Sequence, residues 1–368
     1  MDVVDIGKLV ITTGISLCGR KEESFPELLK LCKKNKKSIK VYDVGDMMGP
    51  WLWEHTHRKI PKARILNTEP WMLETITAAV LQEITFNLDK DLQNNDTVVI
   101  NLHTLFDWRD ISITSFQILF FRKLIELGLE PDMFICFLDN AQNILERMEN
   151  SDQWKDQNFT ESEIWKWQGH EVDNTKRWLH LFDEEKEFYA VSAKEPPETL
   201  YHLLFEPWRP KMYIQMPISH ATPQELEKAG QFIKRVRRHA VVFNPLTIET
   251  GVVELKNRDD DEVQVRNNQT VHRDIHWYIP QVDICAAFYV KVVFTAGVVD
   301  ETVVASQLGK EAWIIFSEDC SPFLPYRATE SIFKNPKTFF EFFENEFMPE
   351  WVAEWKTRNT IDGIEGET

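Results

Sequence analysis

Three carboxylates in the C-terminal half are spaced so that the chain can bring them to one edge of a sheet. Asp274 lies in a predicted helix before a strand, Asp283 opens that strand, and Glu301 follows the glycine-containing turn after it. Open α/β sheets bind ligands at the carboxyl ends of their strands. Cleavage of an N-glycosidic bond needs one ionised carboxylate at the sugar C1′ and one acid that protonates the leaving base. These three carboxylates are therefore the candidates for this chemistry.

Glu301 is the candidate nucleophile because we expect it to open a helix, whose N-terminus favours an ionised carboxylate. An acidic residue in the first turn of a helix is also a common structural feature. The catalytic interpretation is favoured by the ordered set that accompanies Glu301: Tyr213, Asp274, Thr295 and Gly297. Asp283, at the polar start of a buried strand, has either a structural role or a place beside the substrate.

A second candidate site is the loop from Gly14 to Lys21, GISLCGRK, between a predicted strand and a predicted helix. Backbone N–H groups of such a loop point inward, and the following helix adds positive potential, so the loop can bind phosphate. A standard P-loop has Lys followed by Ser or Thr, which holds Mg²⁺, whereas Arg20 and Lys21 stand here. The alternative is a glycine-rich turn without a ligand.

Short apolar runs alternate with helical patterns along the whole chain, which predicts an α/β fold. A chain of 368 residues favours two domains. The two prolines in EPWRPK, at 206–211, cannot continue a helix and mark the predicted boundary. We predict domains at 1–206 and 207–368, each a mainly parallel sheet flanked by helices.

The composition of the chain limits the kinds of molecule that it is expected to bind. The net charge of −17 disfavours nucleic-acid polymers and anionic membranes. It still permits a small nucleotide, since a helix N-terminus can bind phosphate locally. Five scattered cysteines without a CxxC pair, and no apparent signal peptide, predict a cytoplasmic protein with reduced thiols. No metal-binding motif is present, so we expect no protein-held metal site.

The C-terminal segments carry a family resemblance over residues 211–317. In order they are KMYIQMPIS, then RDIHWYIPQVDICAAF, then TAGVVDETVVA, and finally Gly309-Lys310. This set resembles the nucleoside 2-deoxyribosyltransferase superfamily, in particular its 2′-deoxynucleoside 5′-phosphate N-hydrolase branch. The sequence departs from the pattern at Gln215-Met216-Pro217, where the family has a glycine, and at Ser219, where it has an arginine.

The resemblance implies a role for each matching residue. Glu301 matches the nucleophile, Asp274 the carboxylate that handles the proton of the base or orients the sugar, and Tyr213 the tyrosine that positions the nucleophile. The substrate-binding residues that it implies are Thr295, Gly297, Ser219 and Asp283, with Thr295 in the place of a phosphate-binding serine. The glycosidic step requires no cofactor.

Residues 7–205 resemble an adenylate-kinase-like P-loop domain, with a strand, the loop, a helix and a strand that ends in Asp43. This resemblance implies nucleotide binding, with ATP and Mg²⁺ as ligands, near Gly14, Gly19, Arg20, Lys21 and Asp43. The missing hydroxyl after Arg20 removes one expected Mg²⁺ ligand.

Several hypotheses follow from the two resemblances. The first is an N-glycosidic hydrolase or transferase acting on a (deoxy)nucleoside or nucleotide, with NAD as another substrate of that bond type. The others are a nucleotide kinase, a bifunctional enzyme, and a non-catalytic nucleotide sensor. By analogy with related enzymes, we also expect a homo-oligomer.

Overall fold

The computed structural model describes residues 6–109, 111–114, 118–183, 186–218, 221–248, 261–293, 295–330 and 332–365. The chain divides into two compact units, Met1–Pro197 and Glu198–Thr368. Each unit contains a parallel sheet flanked by helices, which confirms the predicted α/β fold class. The division falls after the first residue of the helix Pro197–Phe205, whereas the predicted boundary at 206 follows the last residue of that helix.

The first unit alternates strands and helices along the chain. Its described strands are β1 (Lys8–Gly14), β2 (Ile39–Asp43), β3 (Thr97–Asn101), β4 (Leu105–Trp108), β5 (Ile111–Thr114), β6 (Met133–Leu138) and β7 (Glu187–Ser192). Its described helices are α1 (Phe25–Lys34), α2 (Val44–Thr56), α3 (Pro70–Asn94), α4 (Ile118–Leu127), α5 (Ala141–Glu149) and α6 (Glu161–Leu179). A short π-helical segment, Arg20–Ser24, precedes α1, and a 3-10 segment, Lys62–Asn67, precedes α3.

Strand β1 is central in the main sheet of this unit. The order of the described strands is β2-β3-β1-β6-β7, and all of these pairs are parallel, while β4 and β5 form a separate antiparallel pair. The continuous apolar run Leu9–Ile11 is buried, as is typical of a strand covered on both faces. The glycine loop therefore leaves the sheet at the carboxyl end of its middle strand.

The second unit has the same type of layering. Its described strands are β8 (Lys211–Gln215), β9 (Val241–Phe243), β10 (Ile284–Phe288) and β11 (Glu311–Ile315). Its described helices are α7 (Pro197–Phe205), α8 (Pro223–Val236), α9 (Asp261–Arg273), α10 (Ala296–Gln307), α11 (Pro336–Phe342) and α12 (Met348–Glu365). Short π-helical segments, Asp274–Tyr278 and Phe343–Phe347, follow α9 and α11, and 3-10 turns occur at Pro245–Thr247 and Pro325–Arg327.

The described strands of the second sheet are all parallel, in the order β11-β10-β8-β9. Because side chains alternate along a strand, Met212 and Ile214 point to one face and Tyr213 and Gln215 to the other. The first face forms the main core, where Trp313 packs against the aromatic C-terminal segment. The core thus fixes β8 in the register that presents Tyr213 and Gln215 on the opposite face.

Capping residues define the start of α8 in this unit. Thr222 caps α8 and forms a reciprocal pair with Glu225, and Pro223 is the first helical residue. In the C-terminal segment FFEFFENEF, Phe339, Phe340 and Phe343 are buried in the main core.

Candidate active site

Tyr213 connects the two carboxylates that the sequence singled out. Its ring is buried in the middle of β8, and its hydroxyl donates a hydrogen bond to Glu301 Oε1 at 3.2 Å. The same tyrosine also forms a hydrogen bond with the side chain of Asp274. Since a phenol has one proton, it can donate to only one carboxylate at a time. This geometry suits a pair in which one carboxyl group is ionised and the other is protonated.

Asp274 has the surroundings of the protonated member. Only 6% of the residue is exposed, and burial raises the pKa of its carboxyl group, although Arg273 and Tyr213 oppose that rise. Arg273 Nε lies 2.9 Å from Asp274 Oδ1, and its Nη2 lies 3.2 Å from Oδ2. Both residues stand where α9 passes into a π-helical turn, a feature that often occurs at functional sites.

Glu301 is positioned by α10, but not as the sequence suggested. The helix begins at Ala296, so Glu301 lies in its second turn and no acidic residue occupies the first. The prediction that the helix N-terminus favours the ionised form of Glu301 is wrong, because that effect falls off within the first turn. The hydrogen bond from Tyr213 is the interaction that favours the ionised form.

Thr295 and Gly297 lie at the start of α10, close in sequence to Glu301. Thr295 is the N-cap residue, yet its buried hydroxyl has no hydrogen-bond partner among the described residues. A Cβ atom built on Gly297 would meet no described atom within 4 Å, so protein packing does not require a glycine there. Both features leave room for a ligand at this helix start.

A cavity of about 530 Å³ borders α10 on the side of Thr295 and Thr302. Its lining is mostly apolar, and Glu301, Tyr213 and Asp274 are not part of it. The candidate reaction centre is therefore defined by the hydrogen bonds of Tyr213 and not by this cavity.

Asp283 does not join this cluster. It precedes β10 at the amino edge of the sheet, where its carboxylate accepts a hydrogen bond from Lys211 N at 2.8 Å. Its own backbone N–H bonds to the Lys211 carbonyl, so the residue ties together the starts of two strands. This placement corrects the predicted substrate-binding role of Asp283 to a structural one. Ser219, also predicted to bind substrate, lies outside the described residues.

Two residues of the cluster had no role assigned from the sequence. Arg273 is almost fully buried and holds Asp274, and the only available signal was its position beside that aspartate. Gln215 is buried at the end of β8, and its Oε1 accepts a hydrogen bond from Thr302 at 3.0 Å. The signal for Gln215 was the departure from the family pattern at 215–217.

In the first unit, the glycine loop is bound by a carboxylate from the same chain. Glu171 of α6 is fully buried, and its Oε1 accepts hydrogen bonds from Gly14 N at 3.1 Å and Thr104 N at 2.9 Å. Its Oε2 accepts from Thr104 Oγ1 and Leu105 N. The Gly14 N–H group, which a bound phosphate would need as a donor, is therefore already paired with Glu171.

Arg20 fills the interior of the same loop. Its guanidinium is buried and donates to the carbonyl of Gly14, and one of its nitrogens lies 3.0 Å from His103 Nε2. Burial is the main cause that holds the pKa of His103 well below its ordinary value, and the nearby charge of Arg20 lowers it further. The imidazole is therefore neutral. Gly19 adopts a left-handed conformation, with φ of 94°, just before the π-helical segment.

Lys21 and Asp43, the remaining predicted nucleotide-binding residues, bind each other. Lys21 Nζ lies 2.7 Å from Asp43 Oδ1 and 3.2 Å from Asp46 Oδ2. Asp43 also caps α2 and accepts a hydrogen bond from Asn101. With Lys21 neutralised, Gly14 bound to Glu171 and no hydroxyl after Arg20, the described residues do not fit Mg²⁺-ATP in a P-loop arrangement.

A cavity of about 140 Å³ nevertheless opens beside this loop. It is largely apolar, and its lining includes Ser16, Lys21, Lys62, Leu73 and His103. Within the described part of the first unit, this is where a small ligand would contact the loop.

No family model matches the chain, and no curated protein matches it either. The functional assignment consequently depends on the geometry of the site and on the sequence pattern. None of the helices in the described ranges has both the length and the apolar character needed to cross a membrane.

The Glu171 network makes a prediction about stability. Glu171→Ala leaves the N–H groups of Gly14, Thr104 and Leu105 buried without their acceptor, which costs on the order of 3 kcal/mol or more of unfolding free energy. The matched control is Glu149→Ala, an exposed helical position, with an expected change within about 0.5 kcal/mol. Urea unfolding followed by tryptophan fluorescence measures both, and equal stabilities of the two variants would contradict the role given to Glu171.

Proposed function

We propose that the second unit cleaves the N-glycosidic bond of a nucleoside or nucleotide, by hydrolysis or by transfer of the sugar, with Glu301 as the nucleophile. The observation that carries the proposal is the Tyr213 hydroxyl, which contacts two carboxyl groups with different surroundings. This pairing provides an ionised group and a proton donor within one site, as the reaction needs.

In the first step, a Glu301 oxygen forms a bond to C1′ of the sugar while the bond from C1′ to the base nitrogen breaks. Asp274 gives its proton to the departing base, so the base leaves as a neutral molecule. Tyr213 holds the attacking carboxylate in place through its hydrogen bond. The product of this step is a sugar ester of Glu301 and an ionised Asp274.

In the second step, water or another base attacks C1′ and the ester bond to Glu301 breaks. Asp274 accepts the proton of the attacking group, which restores both carboxyl groups to their starting states. Attack by water completes hydrolysis, and attack by a base nitrogen completes transfer. NAD has the same type of bond, because its nicotinamide is also joined to ribose through an N-glycosidic bond. Its nicotinamide is a pyridinium and leaves as a neutral molecule without a proton from Asp274.

The wider setting of this activity follows from the same proposal. A small nucleoside or nucleotide as substrate agrees with the net charge of −17, which disfavours nucleic-acid polymers. By analogy with the resembling enzymes, we propose a cytoplasmic homo-oligomer. For the first unit we propose ligand binding at the loop cavity. The kinase hypothesis finds no support, because Lys21 is paired with Asp43 and the Gly14 N–H group is paired with Glu171.

The nucleophile is tested by Glu301→Gln. We expect release of free base to fall on the order of 10³-fold or more, since the amide cannot form the glycosyl ester. The assay separates products by chromatography after incubation with nucleosides, nucleoside 5′-monophosphates and NAD. Asp300→Asn, an exposed neighbour on the same helix, is the matched control and should retain activity. Full base release by Glu301→Gln would exclude Glu301 as the nucleophile.

The proton donor is tested by the dependence of kcat on pH. Because burial raises the pKa of Asp274, the group keeps its proton to a higher pH than an ordinary aspartate, and kcat declines as pH rises through that value. Asp274→Asn should lower kcat by about 10²- to 10⁴-fold and remove this alkaline decline. An unchanged alkaline limb in the variant would assign the titration to another group.

A further inference from the structure

Gln215 is a buried polar residue that the proposed reaction steps do not use. Only 1% of it is exposed, at the carboxyl end of β8, the edge at which parallel sheets bind ligands. It lies two residues after Tyr213, so both side chains are on the same face of the strand.

One end of the Gln215 amide is fixed by the catalytic helix. Its Oε1 accepts a hydrogen bond from Thr302, the residue that follows Glu301 in α10. The hydroxyl of Thr302 also contacts the Val298 carbonyl at 2.7 Å, within the same helix. These contacts couple the orientation of the amide to the helix that positions the nucleophile.

The other end of the amide has no hydrogen-bond partner in the part of the chain that the structure describes. Gln215 Nε2 is buried and makes no hydrogen bond with the described residues. Burial of an amide donor without an acceptor is unfavourable, so such groups in folded proteins usually bind a ligand or a water molecule. This donor is held by Thr302, the residue that follows the proposed nucleophile, and is therefore suited to a substrate acceptor close to C1′.

We propose that Gln215 binds the 2′-hydroxyl of the substrate sugar, and that the preferred substrates are ribonucleosides, ribonucleotides or NAD and not their 2′-deoxy counterparts. The proposal rests on the proposed function of Glu301. The 2′-hydroxyl is the substituent on the carbon next to C1′, and its oxygen can accept from Nε2. Hydrogen bonds to this hydroxyl strengthen in the transition state of glycosidic cleavage.

This assignment differs from the deoxyribose preference that the family resemblance implies. The departure occurs in the segment 215–217, where the sequence leaves the family pattern. A site with a buried group that hydrogen-bonds a substrate hydroxyl rejects the analogue that lacks it, because that group is then left unpaired. A 2′-deoxy substrate would leave Gln215 Nε2 in that unpaired state.

The experiment compares kcat/KM for matched pairs of ribonucleoside and 2′-deoxyribonucleoside 5′-monophosphates with all common bases. We expect the full-length protein to prefer the ribose member by about 10- to 100-fold. Gln215→Met, which keeps the length of the side chain but has no donor, should reduce that ratio to near one. Gln307→Leu is the matched control. Gln307 is an exposed glutamine at the C-terminal end of α10, and this variant should keep the original ratio.

A second variant and a binding assay keep the test decisive if Gln215→Met does not fold. Gln215→Glu has the shape of glutamine without the N–H donors, and it should also lose the ribose preference. Calorimetry on Glu301→Gln with each pair of monophosphates measures the same preference as a ratio of Kd values.

The outcomes separate this inference from the proposed function. Base release that depends on Glu301 but shows a deoxyribose preference, or a ribose preference unchanged in both Gln215 variants, overturns the inference and leaves the proposed function intact. Absence of Glu301-dependent base release from every substrate overturns the proposed function, and the role of Gln215 with it.

Discussion

The hydrogen bonds of one tyrosine hydroxyl define the candidate chemistry of this protein. Tyr213 lies in a buried parallel strand and contacts Glu301 and Asp274, which come from separate helical segments. Because the hydroxyl has a single proton, two ionised carboxylates cannot both receive it. Burial raises the pKa of Asp274, and the phenol donates its hydrogen bond to Glu301. The packing of β8, α10 and the π-helical turn after α9 holds these three groups together.

The two units use buried charge in opposite ways. In the first unit, Glu171 and Arg20 satisfy the backbone groups of the glycine loop, and Lys21 pairs with Asp43. This loop has the sequence of a phosphate site, but its hydrogen-bonding groups are bound by side chains of its own unit. In the second unit, polar groups at Thr295 and Gln215 have no partner among the described residues. Open polar groups beside paired carboxylates are the arrangement expected where a substrate completes the site.

The sequence predicted the layered fold, since strands and helices leave local patterns. It also selected Tyr213, Asp274 and Glu301, which the structure brings into hydrogen-bond contact, while their role in catalysis stays a prediction. It did not predict the pairing of Gly14 with Glu171, because that contact joins residues 157 positions apart and α6 gives no sign of which loop it meets. The start of α10 was misplaced for a similar reason. A glycine turn locates the start of a helix only to within a few residues. The predicted effect of the helix N-terminus on Glu301 was therefore wrong, whereas the structure shows its hydrogen bond with Tyr213.

The most direct measurement of the central claim is mass spectrometry of the protein after rapid acid quenching of its reaction with a nucleotide. The account predicts a sugar adduct on the peptide that contains Glu301, present early in turnover and absent from Glu301→Gln. Base release with no adduct at Glu301, or with the sugar attached to a different carboxylate, would contradict the account.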